Sequence, residues 1–261
     1  MARSTYYYCL KRMKQPDKYS EEKEVIQQIF HENMGRYGYR RITAEMHNRG
    51  YGINHKTVQK LMGQCGLKCR IRRSRYKSYK GEVGKMAGNI LNRNFHADKP
   101  NSKWVTDVTE FAVDGRRVYL SPILDLFNGE IISYDISLRP TFRQTMNMLD
   151  KAFEKIPDGS KLILHSDQGW QYQMKLYQFR LKEKGIIQSM SRKGNCLDNS
   201  VMENFFGLLK SEMYYGHKFK DVNHLIDEIE KYIEYYNNDR IKLKLNGLSP
   251  VDYRTKSIQV A

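Results

Sequence analysis

The sequence lacks the features of membrane and secreted proteins. It has no apolar run of about 20 residues, and its N-terminus has no apolar stretch long enough for a signal peptide. Its four cysteines are too few and too scattered for a disulfide framework in a chain of 261 residues. No histidine pair at finger-like spacing accompanies Cys65 and Cys69, so a zinc site is not expected. The sequence therefore predicts a soluble, intracellular protein with reduced thiols.

Acidic residues are scarce relative to basic ones. The chain has 45 Lys and Arg against 29 Asp and Glu, a net charge of +16. Residues 1–98 hold 21 of the basic and 8 of the acidic residues, so 13 of the 16 excess charges lie there. A solvated basic surface is the plain alternative, but the size and location of the excess favour a polyanionic partner, most often nucleic acid.

The first part of the chain has the pattern of a helix-turn-helix region. A first helix is predicted at residues 20–33, with Ser20 as its N-cap. Two short amphipathic helices at 42–49 and 55–62 then flank a glycine turn, and Asn54 is the predicted N-cap of the second. The second of them would present five polar side chains to DNA: His55, Lys56, Thr57, Gln59 and Lys60. Helix pairs of this kind also occur in proteins that never bind DNA, so the pattern alone leaves the function open.

A basic run follows the helix pair. Residues 68–80 contain seven Lys and Arg and no acid, the composition that neutralises phosphates. The arginines assigned to DNA binding are Arg70, Arg72, Arg73 and Arg75. The run is also typical of a flexible linker, and the two interpretations are compatible. We therefore predict a DNA-binding region at 1–66 and a basic linker at 67–98, followed by a core domain at 99–258.

From about residue 101 the pattern changes to strands. Predicted strands at 103–113, 117–127 and 130–137 form an antiparallel meander joined by Asp-Gly and Asn-Gly turns. The remaining elements are predicted in this order: helix 141–156, strand 162–164, helix 171–183, strand 186–190, a helix carrying Glu203, and helix 222–237. This order predicts an α/β fold, a mixed sheet with helices on both faces, preceded by a small all-α region.

Two acids and a lysine stand out in the second half of the chain. Asp167 follows a short apolar strand, and Glu203 lies on a helix whose start is marked by the N-cap residues Asp198, Asn199 and Ser200. Lys210 comes seven residues after Glu203, close to two helical turns, so both side chains leave the same helix face. An acid at a strand end and an acid on a helix can converge on a divalent cation.

The best candidate for a third carboxylate is Asp107, in the middle of the first predicted strand. An acid among β-branched and aromatic neighbours is costly unless it is paired or metal-bound. The strand before Asp167 is expected to be its neighbour in the sheet, which would bring the two acids together. Asp125 and Asp135 are rivals, which we interpret as structural because they lie near strand ends or edges. Glu110 faces the other side of its strand.

The spacing of these residues resembles a known signature. Asp107, Asp167 and Glu203, with thirty-five residues between the last two, resemble the D,D(35)E pattern of retroviral-integrase-type transposases, and Lys210 is also part of that pattern. Five blocks are similar to OrfB-type transposases of bacterial insertion sequences: GRYGYRRI at 35–42, WVTDVT at 104–109, HSDQG at 165–169, SRKGNCLDNSVMENFF at 191–206 and YNNDRIKLKLNGLSP at 236–250. The likeness spans about residues 20–257.

The resemblance implies an RNase-H-like core that cuts DNA at the ends of an insertion sequence and transfers the freed strand to target DNA. It implies Asp107, Asp167 and Glu203 as ligands of two Mg²⁺ ions, with Mn²⁺ as a substitute and with Asp107 as the bridging ligand. Lys210 would hold a DNA phosphate, although a plain solvated lysine is the alternative. For His165, a structural role and a supporting role near the metal are equally open.

The expected partners are DNA, as terminal repeats and as target, and further copies of the chain. In the resembling family the active enzyme is usually a fusion with the product of an upstream frame, and this chain starts with its own Met1 and has no heptad run. We expect it in the cytoplasm, on the nucleoid and away from membranes. Two alternatives remain: an RNase-H-like structure-specific nuclease, and a non-catalytic DNA-binding repressor that uses residues 20–80.

Overall fold

The computed structural model describes residues 3, 7, 17–69, 87–192 and 194–259. These residues divide into two compact units, one within Met1–Ile71 and the other within Arg72–Ala261. The boundaries at residues 66 and 98 stay predictions. Across the described ranges, no helix is both long and apolar enough to cross a membrane.

Three helices form the main described part of the first unit: α1 (Ser20–Glu32), α2 (Tyr39–Asn48) and α3 (His55–Gln64). Each helix turns an apolar face inward, and the buried side chains include Ile26, Ile29, Ile42, Met46, Val58, Leu61 and Met62. The predicted pair of short helices is confirmed, although α2 begins at Tyr39 instead of residue 42.

The helix starts differ in how they are capped. The Asn54 side chain accepts a hydrogen bond from the Lys56 backbone N–H at 2.9 Å, so its predicted role as the N-cap of α3 is confirmed. The predicted role of Ser20 as an N-cap is wrong, because Ser20 is already the first helical residue of α1. Tyr19 precedes it and makes no side-chain capping bond.

A mixed sheet lies at the centre of the second unit. Its described strands are β1 (Lys103–Thr106), β2 (Thr109–Val113), β3 (Arg116–Asp125), β4 (Ile131–Ser137), β5 (Ile163–Ser166) and β6 (Ile187–Met190). Both β1 and β2 pair antiparallel with β3, and so does β4, while β5 is parallel to β1 and β6 is parallel to β5. The predicted meander is confirmed, and this is the RNase-H-like sheet that the resemblance implied.

The first strand is interrupted, although the sequence predicted it as continuous over residues 103–113. The segments β1 and β2 pair with the same edge of β3 in one register, so Asp107 and Val108 fall opposite Pro122 and Ser121. Pro122 has no N–H to donate, which leaves the ladder short of a hydrogen bond at this point. The Asp107 carboxylate accepts a bond from the Val108 N–H at 2.7 Å instead. Asp107 therefore lies at a break in the strand.

Helices cover both faces of the sheet, as predicted. The helices α4 (Phe142–Phe153) and α5 (Lys175–Glu183) pack over the face that carries Trp104. The opposite face, with Val105, is covered by α6 (Ser200–Leu209) and α7 (Val222–Asn238). Trp104 and Val105 are neighbours in β1 and belong to different apolar clusters, because successive side chains of a strand point to opposite faces.

The helical segments after β5 depart most from the prediction. The predicted helix at 171–183 is a 3₁₀ turn, Trp170–Gln173, followed by α5. The helix α6 ends at Leu209, and the chain continues as a π-helix over Lys210–Tyr214.

The last helix, α8 (Pro250–Gln259), was not predicted. Its start is nevertheless marked in the sequence. Ser249 precedes a proline at the first helical position, and the Ser249 hydroxyl accepts a hydrogen bond from the Asp252 N–H at 3.2 Å.

Candidate active site

Two acids lie side by side where two parallel strands end. Val105 of β1 pairs with His165 of β5, and each is followed two residues later by an aspartate, Asp107 and Asp167. Because the strands are parallel neighbours, both carboxylates leave the sheet at the same level. The predicted neighbourhood of these strands is thus confirmed, and their carboxyl ends form one edge of the site.

The third acid comes from α6. The Asn199 side-chain amide donates to the Thr106 carbonyl at 3.4 Å, which places the start of α6 beside the end of β1. Glu203 follows about one helical turn later. Its charge is close enough to act on Asp107, since burial and then repulsion from Asp167 and Glu203 raise the pKa of that carboxyl. The three predicted acids therefore form one cluster.

Burial governs the protonation of this cluster. It raises the pKa of Asp107 well above its ordinary value and also raises the pKa of Asp167. Asp167 accepts a hydrogen bond from the Gly169 N–H at 2.8 Å, which favours the charged form without offsetting the burial. Three carboxylates with little water around them are costly unless a cation joins them.

The donor set of the cluster consists of carboxylate oxygens, which suits Mg²⁺ better than a softer metal. No three Asp, Glu, His or Cys side chains of the described ranges already stand in a metal-ligating arrangement. The cluster therefore fits a divalent cation by charge and by the chemistry of its donor atoms.

Lys210 lies where α6 gives way to the π-helix. Its Nζ is 5.3 Å from the centre of the Phe111 ring, on the sheet face that α6 covers. Burial lowers the pKa of this half-buried amine, and attraction to Glu110 and Asp107 opposes the shift. Lys210 is thus a cation within electrostatic reach of the cluster. The sequence predicted Glu203 and Lys210 on one α-helix, but α6 ends at Leu209, one residue before Lys210.

Asp198 is a buried anion that the sequence interpretation missed. Its carboxylate accepts hydrogen bonds from Arg192 Nε at 2.9 Å, Arg93 Nε at 2.8 Å and the Asn89 amide at 2.9 Å. It is therefore not the N-cap of α6. Asn199 occupies that position, as predicted, although its side chain makes no capping bond. Asp198 instead ties the segment before β1 to the loop before α6. No local sequence pattern marks Asn89 and Arg93, which lie 109 and 105 residues before it.

Asparagine at position 198 is expected to lower the free energy of unfolding at pH 7 by roughly 2–3 kcal/mol, because several hydrogen bonds to a buried charge are weakened. The arginines hold the pKa of Asp198 well below its ordinary value in the folded chain. The stabilisation is therefore complete above about pH 4 and is lost as the pH falls through the folded pKa. Urea unfolding of wild type and Asp198→Asn at pH 7 and at steps toward pH 3 measures the difference.

The difference between the two proteins should shrink as the medium becomes acidic. Asp114→Asn is the matched control, because Asp114 lies exposed in the left-handed turn between β2 and β3, a conformation that asparagine also adopts. A constant difference at every pH would contradict the assignment of the stabilisation to the Asp198 charge.

His165 is held in a structural position. It is fully buried, and its ring nitrogens contact the hydroxyls of Ser189 at 2.8 Å and Ser191 at 3.1 Å. Burial lowers the pKa of His165 to about 4, so the ring is neutral at pH 7. These contacts join β5 to β6 and the loop beyond it, beneath the site.

The two rival aspartates are occupied by structural contacts. Asp125 lies opposite Trp104 and so on the other face of the sheet, where it accepts a bond from Arg254 at 2.7 Å. Asp135 is paired with Lys151 at 2.9 Å. The structural interpretation of both residues is confirmed.

The helix α3 presents polar side chains to solvent. His55, Lys56, Gln59 and Lys60 are exposed, and Thr57 is half-buried. The apolar side of the helix is buried as predicted, with Val58 fully inaccessible. The four arginines predicted to bind DNA from the linker lie outside the described residues: Arg70, Arg72, Arg73 and Arg75.

Family models match both units. A model described as an integrase core domain covers residues 97–196, and a second with the same description covers 203–258. A model described as an HTH-like domain covers residues 18–75. The first two matches include all three acids of the cluster, and the third includes α1, α2 and α3.

Known proteins resemble the whole chain. The InsK protein of Escherichia coli strain K12, described as a transposase for the insertion sequence element IS150, is 58% identical over 98% of this chain and 90% of its own length. The transposase for insertion sequence element IS904 of Lactococcus lactis is 36% identical over 92% of this chain and 97% of its own length. Among solved structures, the HTLV-2 integrase catalytic core domain in complex with magnesium is 18% identical, with a TM-score of 0.46, and matches 60% of this chain and 98% of that one.

Proposed function

The chain belongs to the insertion-sequence transposases with an integrase core domain, and on this premise we propose that Asp107, Asp167 and Glu203 form its catalytic site. The observation that carries the proposal is the meeting of two acids from adjacent parallel strands with an acid from α6. The extent of the likeness to transposases favours this function over a structure-specific nuclease or a non-catalytic repressor.

Transposition by an integrase-like enzyme depends on divalent metal, and the cluster would hold it. We propose two Mg²⁺ ions, replaceable by Mn²⁺, with Asp107 between them and with Asp167 and Glu203 as the outer ligands. Such ions, when bound, favour the deprotonated nucleophile and neutralise the charge that develops on the phosphate. Charge balance supports this stoichiometry, because the three carboxylates and the scissile phosphate together carry four negative charges, which two divalent ions would neutralise.

The remaining residues position the substrate. Lys210 places its ammonium beside the cluster and would pair with a phosphate oxygen next to the scissile bond. Water first breaks the phosphodiester at the element's end and leaves a 3′-hydroxyl. That hydroxyl then attacks a target phosphodiester, forming a new P–O bond while the target's own 3′-oxygen departs. The site holds the phosphate in line for both displacements.

DNA recognition would fall to the first unit. We propose that α3 reads the terminal repeat through five side chains: His55, Lys56, Thr57, Gln59 and Lys60. The linker arginines would neutralise the backbone: Arg70, Arg72, Arg73 and Arg75. The exposure of the polar side of α3 supports this arrangement.

The double substitution Lys56→Gln and Lys60→Gln is expected to weaken binding to the element's end and to make it less dependent on salt. Each lost phosphate contact reduces the slope of log K against log salt concentration by about 0.9. Fluorescence anisotropy with a terminal-repeat duplex at several salt concentrations measures this slope. The double substitution Lys182→Gln and Lys256→Gln, in the last turns of α5 and α8, is the charge-matched control. An unchanged slope in the double variant would contradict the assignment of α3 to DNA.

The assembly of the active enzyme is part of the proposal. We propose a DNA-binding region at 1–66, a basic linker at 67–98 and a core at 99–258, acting as a homo-oligomer on the nucleoid in the cytoplasm. Asn89 and Arg93, near the end of that linker, lie against the core. We also propose that the product of an upstream frame contributes to end binding. End cleavage in Mg²⁺ on the element's own termini, with and without that product, tests whether this chain cleaves alone and whether the upstream-frame product contributes.

A further inference from the structure

A cavity of about 180 Å³ opens beside the acid cluster. It is lined by Val108 and Thr109, which follow Asp107, and by Trp170 and Gln171, which come soon after Asp167. The volume is below the roughly 300–1,000 Å³ of pockets for drug-sized ligands, so the cavity has room for one heterocyclic ring and not for a whole nucleotide. Neither the acids nor Lys210 occupies it.

The far wall of the cavity is fixed before any ligand arrives. Gln144 of α4 is buried, and its amide donates to the Tyr119 carbonyl at 2.7 Å and to the Asp135 carbonyl at 3.0 Å. Thr141 also lines the cavity and accepts a hydrogen bond from the Gln144 N–H at 3.4 Å as the N-cap of α4. A preformed wall of this kind holds a ligand without first being ordered.

Trp170 lies at the cavity with half of its surface in solvent. Its exposed fraction is 51%, whereas Trp104, the other tryptophan of the chain, is completely buried. An exposed indole beside a site for DNA offers a flat face on which a base can stack. No contact within the described residues requires a tryptophan at this position.

The rim of the cavity offers a hydrogen-bond acceptor to a base. Glu110 lines the cavity and is paired with Arg117 at 2.9 Å, which holds its carboxylate on the exposed side. A carboxylate oxygen accepts hydrogen bonds from the amino group of a base. The described lining residues include no lysine or arginine that would hold a phosphate, so the cavity favours the base of a nucleotide over its backbone.

We propose that this cavity holds one unstacked nucleobase next to the scissile phosphate, with the base stacked on Trp170. The inference rests on the proposed function, which puts the DNA strand at Asp107 and Asp167. Withdrawal of a base from the duplex separates the strand to be cut from its complement and gives the acids access to its phosphate. The distance of a base from the scissile phosphate, measured along the strand, decides which base enters the cavity. The identity of the base matters only through the preference of Glu110 for an amino group.

The test combines a change in the protein with a change in the DNA. The duplexes carry the element's end with a single abasic site, moved one nucleotide at a time across the cleavage position. The proteins are the full chain with Glu203→Gln, which prevents reaction, alone and together with Trp170→Leu. We expect Trp170→Leu to lower the affinity for the intact duplex about tenfold, as the loss of one stacked base does.

An abasic site at one position should lower the affinity of the protein that retains Trp170 about tenfold relative to the intact duplex. The same abasic site should leave the affinity of the Trp170→Leu protein unchanged. Trp170→Phe retains an aromatic face and should restore most of the affinity, while Phe179→Leu, an exposed aromatic on α5 outside the cavity, should change nothing. Equal effects of Trp170→Leu on intact and abasic duplexes at every position would overturn the proposal. If Trp170 had a purely structural role, Trp170→Leu would lower the affinity for intact and abasic duplexes equally, because the loss would not depend on the presence of any base.

The two proposals fail in different ways. Strand transfer by the wild type, together with no coupling between Trp170 and any base, would overturn the base pocket alone. Absence of strand transfer by the wild type on its own element's ends would overturn the proposed function. Coupling at a single nucleotide together with strand transfer supports both.

Discussion

Glutamine in place of Glu203 is expected to slow end cleavage and strand transfer by about a thousandfold or more. The substitution preserves the size of the side chain and removes only the charge that attracts the cations together with Asp107 and Asp167. A loss of several kcal/mol of transition-state stabilisation has this effect, since each 1.4 kcal/mol or so corresponds to a factor of ten in rate. The measurement is the rate of appearance of joined product from a pre-cut element end and a target plasmid in Mg²⁺.

Two controls separate chemistry from folding and binding. Glu183→Gln removes an exposed carboxylate from the last turn of α5 and should leave the rate unchanged. The Glu203→Gln protein should bind the DNA end as wild type does, and its Tm without metal should be no lower, because a charge that repels Asp107 has gone. Wild-type rates from Glu203→Gln would remove this residue from the proposed site.

Methionine in place of Arg240 is expected to lower the free energy of unfolding by about 3–5 kcal/mol, the usual cost of breaking a buried ion pair from one side. The Arg240 side chain is only 2% exposed and holds the Glu212 carboxylate through two hydrogen bonds of 2.8 and 2.6 Å. The Tyr232 hydroxyl donates to the same carboxylate at 2.8 Å. Without the guanidinium, Glu212 would be a buried and unpaired charge in the π-helix that begins at Lys210. Urea denaturation at pH 7 measures the loss.

Removal of both charges should recover most of that stability. In Arg240→Met with Glu212→Leu no buried charge is left, although the Tyr232 hydroxyl loses its acceptor and keeps the recovery incomplete. Arg117→Met, which breaks an exposed pair with Glu110, is the control and should change the free energy by less than about 1 kcal/mol. A double variant as unstable as Arg240→Met alone would show that the cost arises from packing and not from charge.

Local patterns were sufficient to predict most of the sheet and the acids it carries. The alternation around Trp104 and Val105 indicated a strand with two covered faces, and both faces are covered. The Asp-Gly turn at 114–115 requires two residues with positive φ, and both have it. Asp107 and Asp167 were expected together because the strand that carries Asp107 was predicted to be the neighbour of the strand before Asp167. The strands and turns were predicted from residues close in sequence, and the pairing of the two strands from the order of the elements.

The features that were missed depend on partners far away in the chain. The strand breaks at Asp107 because Pro122 comes to lie opposite, which is known only once β1 and β3 are paired. Asp198 looked like an N-cap, but one of its two arginine partners, Arg93, lies 105 residues before it. The cavity at Trp170 is formed by four separate segments of the chain. The start of α8 is different, since its signal at Ser249 is local and was overlooked.

The Arg254 contact has a consequence for shortened copies of the chain. This residue belongs to α8, yet it binds Asp125 at the far end of β3, in the middle of the sheet. A shortened copy that lacks α8 leaves a buried carboxylate without its cation, even though Asp107, Asp167 and Glu203 are all present. Such copies are expected to be degraded, and not to persist as fragments able to mobilise neighbouring copies of the element.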